Sequence, residues 1–302
     1  MMSVGMSTPT VSLQGLTKYY GTFLGVENVT FDAHPGQVLG LLGPNGSGKT
    51  TILRMMLGLL KITRGSAQVF GLDVTKTSPL WRQRVGYLPG ELSLYENLTV
   101  QEYLDYFQAL RGGNYKARIV ELCERLGLNP TKDIADLSKG TKQKVAVVQA
   151  FMHQPELLIL DEPTSGLDPI IQHEFEEIIE TERQRGTTII LSSHVMSEVE
   201  RLADRVAIIT KGHLAVTQSI AGLKERVTRS LEMEFPSPQD PQSFASLDGV
   251  TDVQIHRNTV ICQVVGSENP LLERAVSLGM TSIRTHDPSL DDIFLDIVEN
   301  HR

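Results

Sequence analysis

The stretch Gly43-Pro-Asn-Gly-Ser-Gly-Lys49-Thr50 decides the fold, because it fits the pattern GxxxxGK[ST] in full. An apolar run at Val38–Leu42 precedes it and predicts a strand, and a helical stretch at about Thr50–Leu60 follows it. Strand, loop and helix in this order are the context that the pattern requires. Glycines let successive backbone N–H groups point at phosphate oxygens, and the start of a helix adds positive potential. The sequence therefore predicts a phosphate-binding loop of the P-loop type.

Each part of this loop has a predicted role in binding a nucleotide and its metal ion. Lys49 is long enough to reach the β- and γ-phosphates, and the hydroxyl of Thr50 suits Mg²⁺. We predict that the nucleotide contacts the following residues: Gly43, Asn45, Gly46, Ser47, Gly48, Lys49, Thr50 and Thr51. The alternative is a glycine-rich turn that binds nothing, and the complete motif in its proper context disfavours that alternative.

Two acids end a second apolar run, Leu157-Leu-Ile-Leu-Asp161-Glu162. Ligands bind beyond the carboxyl ends of the strands in open α/β sheets, so both acids are expected beside the phosphate loop. We predict that Asp161 holds the metal through water and that Glu162 is the general base acting on a water molecule. His194, which follows the run Ile189–Ser193, is predicted to contact the γ-phosphate. The alternatives are a solvated acidic turn and a structural histidine.

Further apolar runs place this site in an α/β domain. Thr188–Ser192 and Arg205–Thr210 are near-continuous apolar runs like the two already quoted, and such runs suit parallel strands buried on both faces. Between residues 92 and 151 the apolar residues recur at helical spacing instead. These are Tyr103, Phe107, Leu110, Ile119, Leu122 and Leu126. We therefore predict an α/β nucleotide-binding domain over residues 11–222, with a helical insertion at about 92–151.

The pattern after about Gly222 predicts a second, smaller domain. Four runs predict strands: Leu231–Phe235, Val250–Ile255, Val260–Val265 and Thr281–Thr285. A helix is predicted near Pro270–Leu278, and the proline-rich segment Phe235–Pro241 is predicted to be a loop. This order matches a split β-α-β unit of the ferredoxin-like type, so we predict an α+β accessory domain over residues 226–302. Ser289–Asp292 has a capping-box pattern followed by an apolar helical stripe.

Composition and charge bear on the class of protein. The 302 residues contain 28 basic and 36 acidic side chains, and the formal net charge of −8 argues against nucleic acid as a partner. We expect a soluble chain without a signal peptide, because the apolar runs are too short to span a bilayer and the first eleven residues lack a signal pattern. Cys123 and Cys262 are far apart without a CxxC companion, which predicts two buried thiols in a reducing cytosol.

Together these motifs resemble the nucleotide-binding domain of an ABC transporter, and the resemblance covers about residues 11–220. Leu137-Ser-Lys-Gly-Thr141 resembles the LSGGQ signature of that family, and Ser165-Gly-Leu-Asp168 resembles its D-loop. Ser193-His194 resembles the switch histidine. Tyr20 resembles the aromatic residue that stacks on adenine.

The resemblance implies an ATPase that binds ATP and Mg²⁺ and works as a head-to-tail homodimer. In that arrangement ATP lies between the P-loop of one subunit and the signature of the other, where Ser138 and Gly140 contact it. The resemblance also implies that Asp168 of the D-loop is a nucleotide-binding residue, like Ser138 and Gly140.

Three of these residues have a second interpretation. Ser138 is also a good helix N-cap, and Asp168 before Pro169 is an equally good N-cap with proline in the first turn. Tyr20 is open to a role in packing, and Tyr19 beside it is the competing candidate for the adenine contact.

The sequence departs from the family pattern at several positions. Lys139 and Thr141 stand where the signature usually has glycine and glutamine. Gly90 stands where the Q-loop glutamine is expected, and whether Glu91 replaces that glutamine stays open. The LSKG-type signature and the closing segment Ser289–Leu295 resemble the subfamily whose ATPase serves ABC-2-type exporters, including drug and antibiotic efflux systems.

The main hypothesis from this resemblance is the ATPase subunit of a transporter whose transmembrane permease is a separate polypeptide. The chain is then expected in the cytoplasm, held at the cytoplasmic face of the membrane by that partner. Its docking surface is predicted to include Leu94, Tyr95, Leu98 and Tyr103, with ordinary packing of the helical insertion as the alternative.

Two other functions compete with the transporter hypothesis. A soluble ABC ATPase acting on ribosomes or DNA usually carries two cassettes or a long coiled coil with basic patches. The single P-loop and the acidic balance disfavour it. A P-loop GTPase would need a guanine-reading motif of the NKxD type, which we do not find.

Overall fold

Buried parallel strands flank the phosphate loop in the computed structural model, which describes residues 8–76, 79–225 and 229–286. Its internal contacts divide the chain into two units, one up to Thr217 and one from Gln218 onward. The helices and strands are β1 (Val11–Tyr20), β2 (Phe23–Ala33), β3 (Val38–Leu42), α1 (Lys49–Met56), β4 (Arg64–Val69), β5 (Leu72–Asp73), β6 (Val85–Leu88), α2 (Val100–Arg111), α3 (Lys116–Arg125), α4 (Lys139–Phe151), β7 (Leu157–Asp161), α5 (Pro169–Gln184), β8 (Thr188–Ser193), α6 (Met196–Leu202), β9 (Arg205–Thr210), β10 (His213–Ser219), α7 (Ile220–Glu225), β11 (Arg229–Glu234), α8 (Gln242–Ala245), β12 (Val250–His256), β13 (Thr259–Val264), α9 (Asn269–Ser277) and β14 (Ser282–His286). Short 3₁₀ helices lie at Pro79–Arg84 and Ile134–Asp136.

The parallel strands belong to a large sheet with the order β5-β4-β1-β2-β10-β9-β3-β8-β7-β6. β3 lies between β8 and β9 in parallel, and β7 pairs in parallel with β8 and with β6. Every residue of β3 and β7 is buried, as expected for strands covered on both faces. The strands predicted at Val38–Leu42, Leu157–Asp161 and Arg205–Thr210 are confirmed to the residue, and β8 is one residue longer than predicted.

The other side of this sheet is antiparallel and forms a β subdomain. β1 pairs with β2 and with β4, and β4 pairs with β5. Apolar residues at alternate positions of β1, such as Val11 and Leu13, are fully buried. They share one hydrophobic cluster with Leu39 and Leu41 of β3 and with Ile52 of α1, so both halves of the sheet pack on the helix that follows the phosphate loop.

Helix α1 is shorter than predicted, since it ends at Met56 rather than at Leu60. Gly58 has φ 63°, and its N–H donates to the carbonyl of Met55 over 2.9 Å, which is how a left-handed glycine ends a helix. At the other end α1 begins at Lys49, so the free N–H groups of its first turn belong to the phosphate loop.

The predicted helical insertion is confirmed and contains α2, α3 and α4. Thr99 starts α2 with a capping box to Glu102. α4 begins at Lys139, directly after Ser138, whose side chain accepts a hydrogen bond from the N–H of Thr141 over 3.2 Å. The predicted apolar stripe is buried at Tyr103, Ile119, Leu122 and Leu126, half-buried at Phe107 and exposed at Leu110.

The second unit contains an antiparallel sheet with the order β12-β13-β11-β14. In that order the first strand, β11, lies between the third and the fourth, which is the predicted split β-α-β arrangement with α8 and α9 as its helices. Its core contains Leu231, Met233, Phe235, Phe244, Val260, Cys262, Val264, Leu271 and Ala275. Phe235–Pro241 forms neither helix nor strand, as predicted. The predicted capping box at Ser289–Asp292 and its apolar stripe lie outside the described residues.

Both cysteines are buried, as predicted. Burial raises the pKa of the Cys123 and Cys262 thiols to about 11, so both thiols stay protonated at neutral pH. In the parts of the chain that the structure describes, no helix combines the length and the apolar character needed to cross a membrane.

Candidate nucleotide site

The phosphate loop connects β3 to α1 at the carboxyl edge of the parallel strands. Two of its glycines are required by the backbone. A Cβ at Gly43 would lie 2.2 Å from the carbonyl oxygen of Ile209, and Gly48 has φ 110°. Lys49 is buried, and its ammonium donates to the Gly43 carbonyl over 2.7 Å. The loop therefore curls around the lysine head, as a phosphate cradle requires.

A cavity of about 220 Å³ opens over this loop. Its lining residues are Tyr20, Phe23, Gly25, Asn45, Gly46, Ser47, Gly48, Lys49, Thr50, Thr51 and Glu162. The buried hydroxyl of Ser47 has no hydrogen-bond partner among the residues that the structure describes, whereas buried polar atoms normally have one. A phosphate oxygen would supply that partner, so the loop fits a phosphate group. All the predicted loop residues except Gly43 line this cavity.

Thr50 and Asp161 form the candidate Mg²⁺ site. The Thr50 hydroxyl donates to Oδ2 of Asp161 over 2.7 Å, and the Ser192 hydroxyl donates to Oδ1 over 2.5 Å. β7 and β8 are neighbours in the sheet, and Asp161 pairs with Ser192 at the carboxyl ends of these two strands. A hydroxyl and a carboxylate are the hard oxygen donors that Mg²⁺ prefers, so this pair fits the ion.

Glu162 adopts an unusual backbone conformation beside these residues. Its φ is 49°, a left-handed value that costs about 1 kcal/mol in a residue with a Cβ. Its N–H donates to the backbone oxygen of Ser192 over 3.2 Å and lies 3.1 Å from the Ser192 hydroxyl oxygen. Its carboxylate lies between two other predicted residues, with Oε1 3.4 Å from Nζ of Lys49 and Oε2 2.7 Å from Nδ1 of His194. The structure thus brings Lys49, Glu162 and His194 together.

Of the two adjacent tyrosines, Tyr20 is the one at the cavity. Its hydroxyl is 3.4 Å from Oγ1 of Thr51, and the Lys18 ammonium is 5.1 Å from its ring centroid. The Tyr19 hydroxyl donates instead to Glu27 over 2.9 Å, and this hydrogen bond raises the pKa of Tyr19. The structure therefore favours Tyr20 as the residue that contacts a base.

The signature and the D-loop lie outside this cavity. Ser138 caps α4 and Asp168 caps α5 with proline in the first turn, so both N-cap interpretations are confirmed. Gly140 packs against the D-loop, since a Cβ there would lie 2.4 Å from the carbonyl oxygen of Gly166. Within the described residues, none of Ser138, Gly140 and Asp168 lines the cavity over the P-loop.

Gly90 and Glu91, the two residues at the Q-loop position, lie in the loop after β6. A Cβ at Gly90 would lie 3.3 Å from Oδ2 of Asp161, so the backbone passes directly beside this carboxylate. Gly90 and Glu91 both line a second cavity, of about 400 Å³, together with Lys139 and Lys142 of the first turn of α4. In this conformation Gly90 lies beside both the candidate metal site and the signature, and Glu91 lies beside the signature.

Sequence reasoning missed two residues of this site, Ser192 and Phe23. Ser192 lies inside a run interpreted only as a buried strand, and a polar residue at the carboxyl end of such a strand is the signal that could have found it. Phe23 follows Tyr20 across a two-residue turn that contains Gly21, and this spacing is a recognised hairpin signal.

Fold and site together define a class of protein. A P-loop at the carboxyl edge of a parallel sheet, a hydroxyl and a carboxylate suited to Mg²⁺, and a strand-end glutamate beside the loop lysine are the parts of a nucleoside-triphosphate-binding protein of the P-loop class.

Comparison with known proteins identifies the family within this class. The family described as ABC transporter matches residues 26–165. Bacitracin transport ATP-binding protein BcrA of Bacillus licheniformis is 34% identical over 291 residues, which cover 94% of this chain and 95% of BcrA. Probable multidrug ABC transporter ATP-binding protein YbhF of Escherichia coli K12 is 38% identical over 242 residues, which cover 78% of this chain and 41% of YbhF. The chain thus spans less than half the length of that relative.

A solved structure agrees with these relatives. The ATP-binding subunit of an ABC transporter superposes with a TM-score of 0.68 at 31% identity, over 72% of this chain and 92% of that chain. The chain belongs to the family of ABC transporter ATP-binding proteins. The predicted ABC-type P-loop fold and the predicted family are therefore confirmed.

Proposed function

We propose that the chain binds ATP with Mg²⁺ at the P-loop and hydrolyses it, with Glu162 as the general base. The position of the Glu162 carboxylate supports this most strongly, because it lies 3.4 Å from Nζ of Lys49 and 2.7 Å from Nδ1 of His194. Lys49 is the side chain that reaches the β- and γ-phosphates in a P-loop, so a base beside it is close to the bond that breaks.

Each side chain then has one task. Lys49 and the loop N–H groups hold the phosphates, and Tyr20 stacks on the base. Thr50 and Asp161 would hold Mg²⁺, which when bound neutralises charge on the phosphate oxygens. Glu162 accepts the proton of the attacking water.

His194 orients the Glu162 carboxylate through their 2.7 Å contact and, in this proposal, also contacts the γ-phosphate. The strained backbone at Glu162 supports this arrangement, since such conformations cluster at active sites.

We also propose that two chains assemble head to tail around ATP. The signature residues Ser138 and Gly140 do not line the described cavity over their own P-loop, so a second copy is the source that would bring them to the nucleotide. Ser138 starts α4, and a helix N-terminus is a natural partner for phosphate. Asp168 of the D-loop belongs to the same interface in this proposal.

The proposed partner of this dimer is a separate transmembrane permease of an ABC-2-type exporter. BcrA is described as a bacitracin transport protein and YbhF as a probable multidrug transporter protein, which supports export of a drug-like or antibiotic cargo. The dimer would work at the cytoplasmic face of the membrane, held there by the permease. Residues 11–222 carry the nucleotide functions in this proposal, and residues 226–302 form an accessory domain.

Glu162→Gln tests the proposed function. This variant keeps the shape of the side chain and removes the base, so ATP should still bind while the rate of hydrolysis falls by roughly 10²-fold or more. Lys49→Ala should weaken binding as well, because it removes the charge from the phosphate cradle. Phosphate release and equilibrium ATP binding are measured on the full chain.

Glu174→Gln is the matched control, because Glu174 is an acid on α5 that pairs with Arg125 away from the cavity. It should hydrolyse ATP like the parent chain. A Glu162→Gln variant that hydrolyses ATP at the parental rate would show that another group is the base.

A further inference from the structure

Phe23 is a large apolar side chain that the fold leaves uncovered beside the phosphate loop. Its side chain is 70% exposed, although it is the first residue of β2 in a well-packed sheet. It lines the same cavity as Tyr20 and Lys49. The cavity therefore has an aromatic part, made by Tyr20 and Phe23, and a polar part, made by the P-loop and Glu162.

The hairpin between β1 and β2 sets the positions of the two aromatic residues. Tyr20 and Phe23 are directly opposite each other across the two-residue turn Gly21–Thr22. Directly opposite residues of an antiparallel pair point to the same face, with Cβ atoms about 5 Å apart. Both rings therefore project from one face of the hairpin, toward the cavity that both line.

Tyr20 is held in place, which gives the aromatic part of the cavity a defined wall. Its hydroxyl is 3.4 Å from the Thr51 hydroxyl oxygen of α1. On the strand side, a Cβ at Gly25 would lie 2.8 Å from Cε2 of Tyr20, so the absence of a side chain at Gly25 lets the ring lie close to β2. The exposed Phe23 ring is the second surface available to a flat ligand group.

We propose that Phe23 is a second base-contacting residue, so that the adenine of ATP binds against two aromatic rings rather than against Tyr20 alone. This inference rests on the proposed ATP function. Every nucleobase has a flat π-face that stacks on aromatic rings, and the phosphates are committed to the polar part of the cavity. Phe23 therefore contacts the base of the nucleotide. It raises the affinity for ATP through this contact and does not contact the phosphates.

Binding of two ligands to the full chain tests this inference. ATP and inorganic tripolyphosphate, each with Mg²⁺, share the phosphate chain and differ in the nucleoside. Phe23→Ala should weaken ATP binding about tenfold, as expected for loss of one stacking ring, and leave tripolyphosphate binding unchanged. Phe23→Leu, which keeps apolar bulk without a ring, should behave like Phe23→Ala. Phe23→Tyr should retain the parental ATP affinity.

Leu80→Ala is the matched control, because Leu80 is 66% exposed and lies outside the cavity lining. It should bind both ligands like the parent chain. Equal ATP affinity in Phe23→Ala and the parent overturns the inference, and so does an equal loss of affinity for ATP and tripolyphosphate, since that result places the effect on the phosphate loop. A parent chain that binds neither ligand overturns the proposed function itself.

Discussion

At the scale of single residues, Ser192 forms hydrogen bonds with both acids of the site, Asp161 and Glu162. Its hydroxyl donates to Asp161 over 2.5 Å, and its oxygens lie 3.1 and 3.2 Å from the N–H of Glu162. It does not line the described cavity, so it acts on the site through these two neighbours. In our proposal Ser192 is therefore a positioning residue for Asp161, the proposed metal ligand, and for Glu162, the proposed base.

Ser192→Ala tests this role. The variant should lower the rate of ATP hydrolysis by about 10- to 100-fold and raise the Mg²⁺ concentration needed for half-maximal binding of ATP, because Asp161 loses the partner that orients it. ATP binding in the presence of a chelator should stay unchanged. Ser66→Ala on β4 is the control. If Ser192→Ala lowers only the melting temperature and leaves the Mg²⁺ dependence unchanged, its role is structural.

At the scale of elements, α2 and the loop before it divide the predicted docking surface into two parts. Tyr95 is 50% exposed, whereas Tyr103 is 4% exposed, so the prediction that Tyr103 belongs to the docking surface is wrong. Tyr103 packs against Phe107 with ring centroids 4.8 Å apart, and its burial raises its pKa to about 12. Tyr95 contacts Tyr106, which is also exposed, so an open aromatic surface remains beside the buried ring.

The two parts of this surface should respond differently to mutation. Tyr95→Ala and Leu98→Asp should lower co-purification with the proposed transmembrane permease and leave ATP affinity unchanged. Tyr103→Ala should lower the free energy of unfolding by about 3 kcal/mol, since it removes a buried aromatic ring. Denaturant unfolding and a pull-down are measured on all three variants. Equal destabilisation by Tyr95→Ala and Tyr103→Ala would show that Tyr95 is also part of the core.

At the scale of the whole molecule, the nucleotide site is shared between two copies of the chain in our proposal. In a Glu162→Gln background ATP should therefore produce dimers, and Ser138→Arg should abolish them, because the bulky cation disrupts the cap of α4 and its approach to phosphate. Size exclusion with light scattering measures the dimer. Ser277→Arg, an exposed serine on α9, is the control and should dimerise like its parent. ATP-dependent dimers of the Ser138→Arg chain would contradict the proposed interface.

The sequence alone determined the P-loop, its helix and the buried strands at Val38–Leu42, Leu157–Asp161 and Arg205–Thr210. A short continuous apolar run is typical of a parallel strand that is buried on both faces. The first and last apolar residues of the run therefore predict where the strand begins and ends. The caps at Ser138 and Asp168 were predictable for a similar reason, since a cap is a local interaction between residues three positions apart.

Tertiary structure alone decided which distant residues meet at the site. Ser192 contacts Asp161 because β8 lies next to β7 in the sheet. A local sequence pattern does not predict the order of strands in a sheet. The choice of Tyr20 over Tyr19 depends on which side of β1 faces α1, because successive residues of a strand point to opposite faces. The burial of Tyr103 and the exposure of Phe23 depend on what packs over each ring, and long-range packing rather than local sequence sets that.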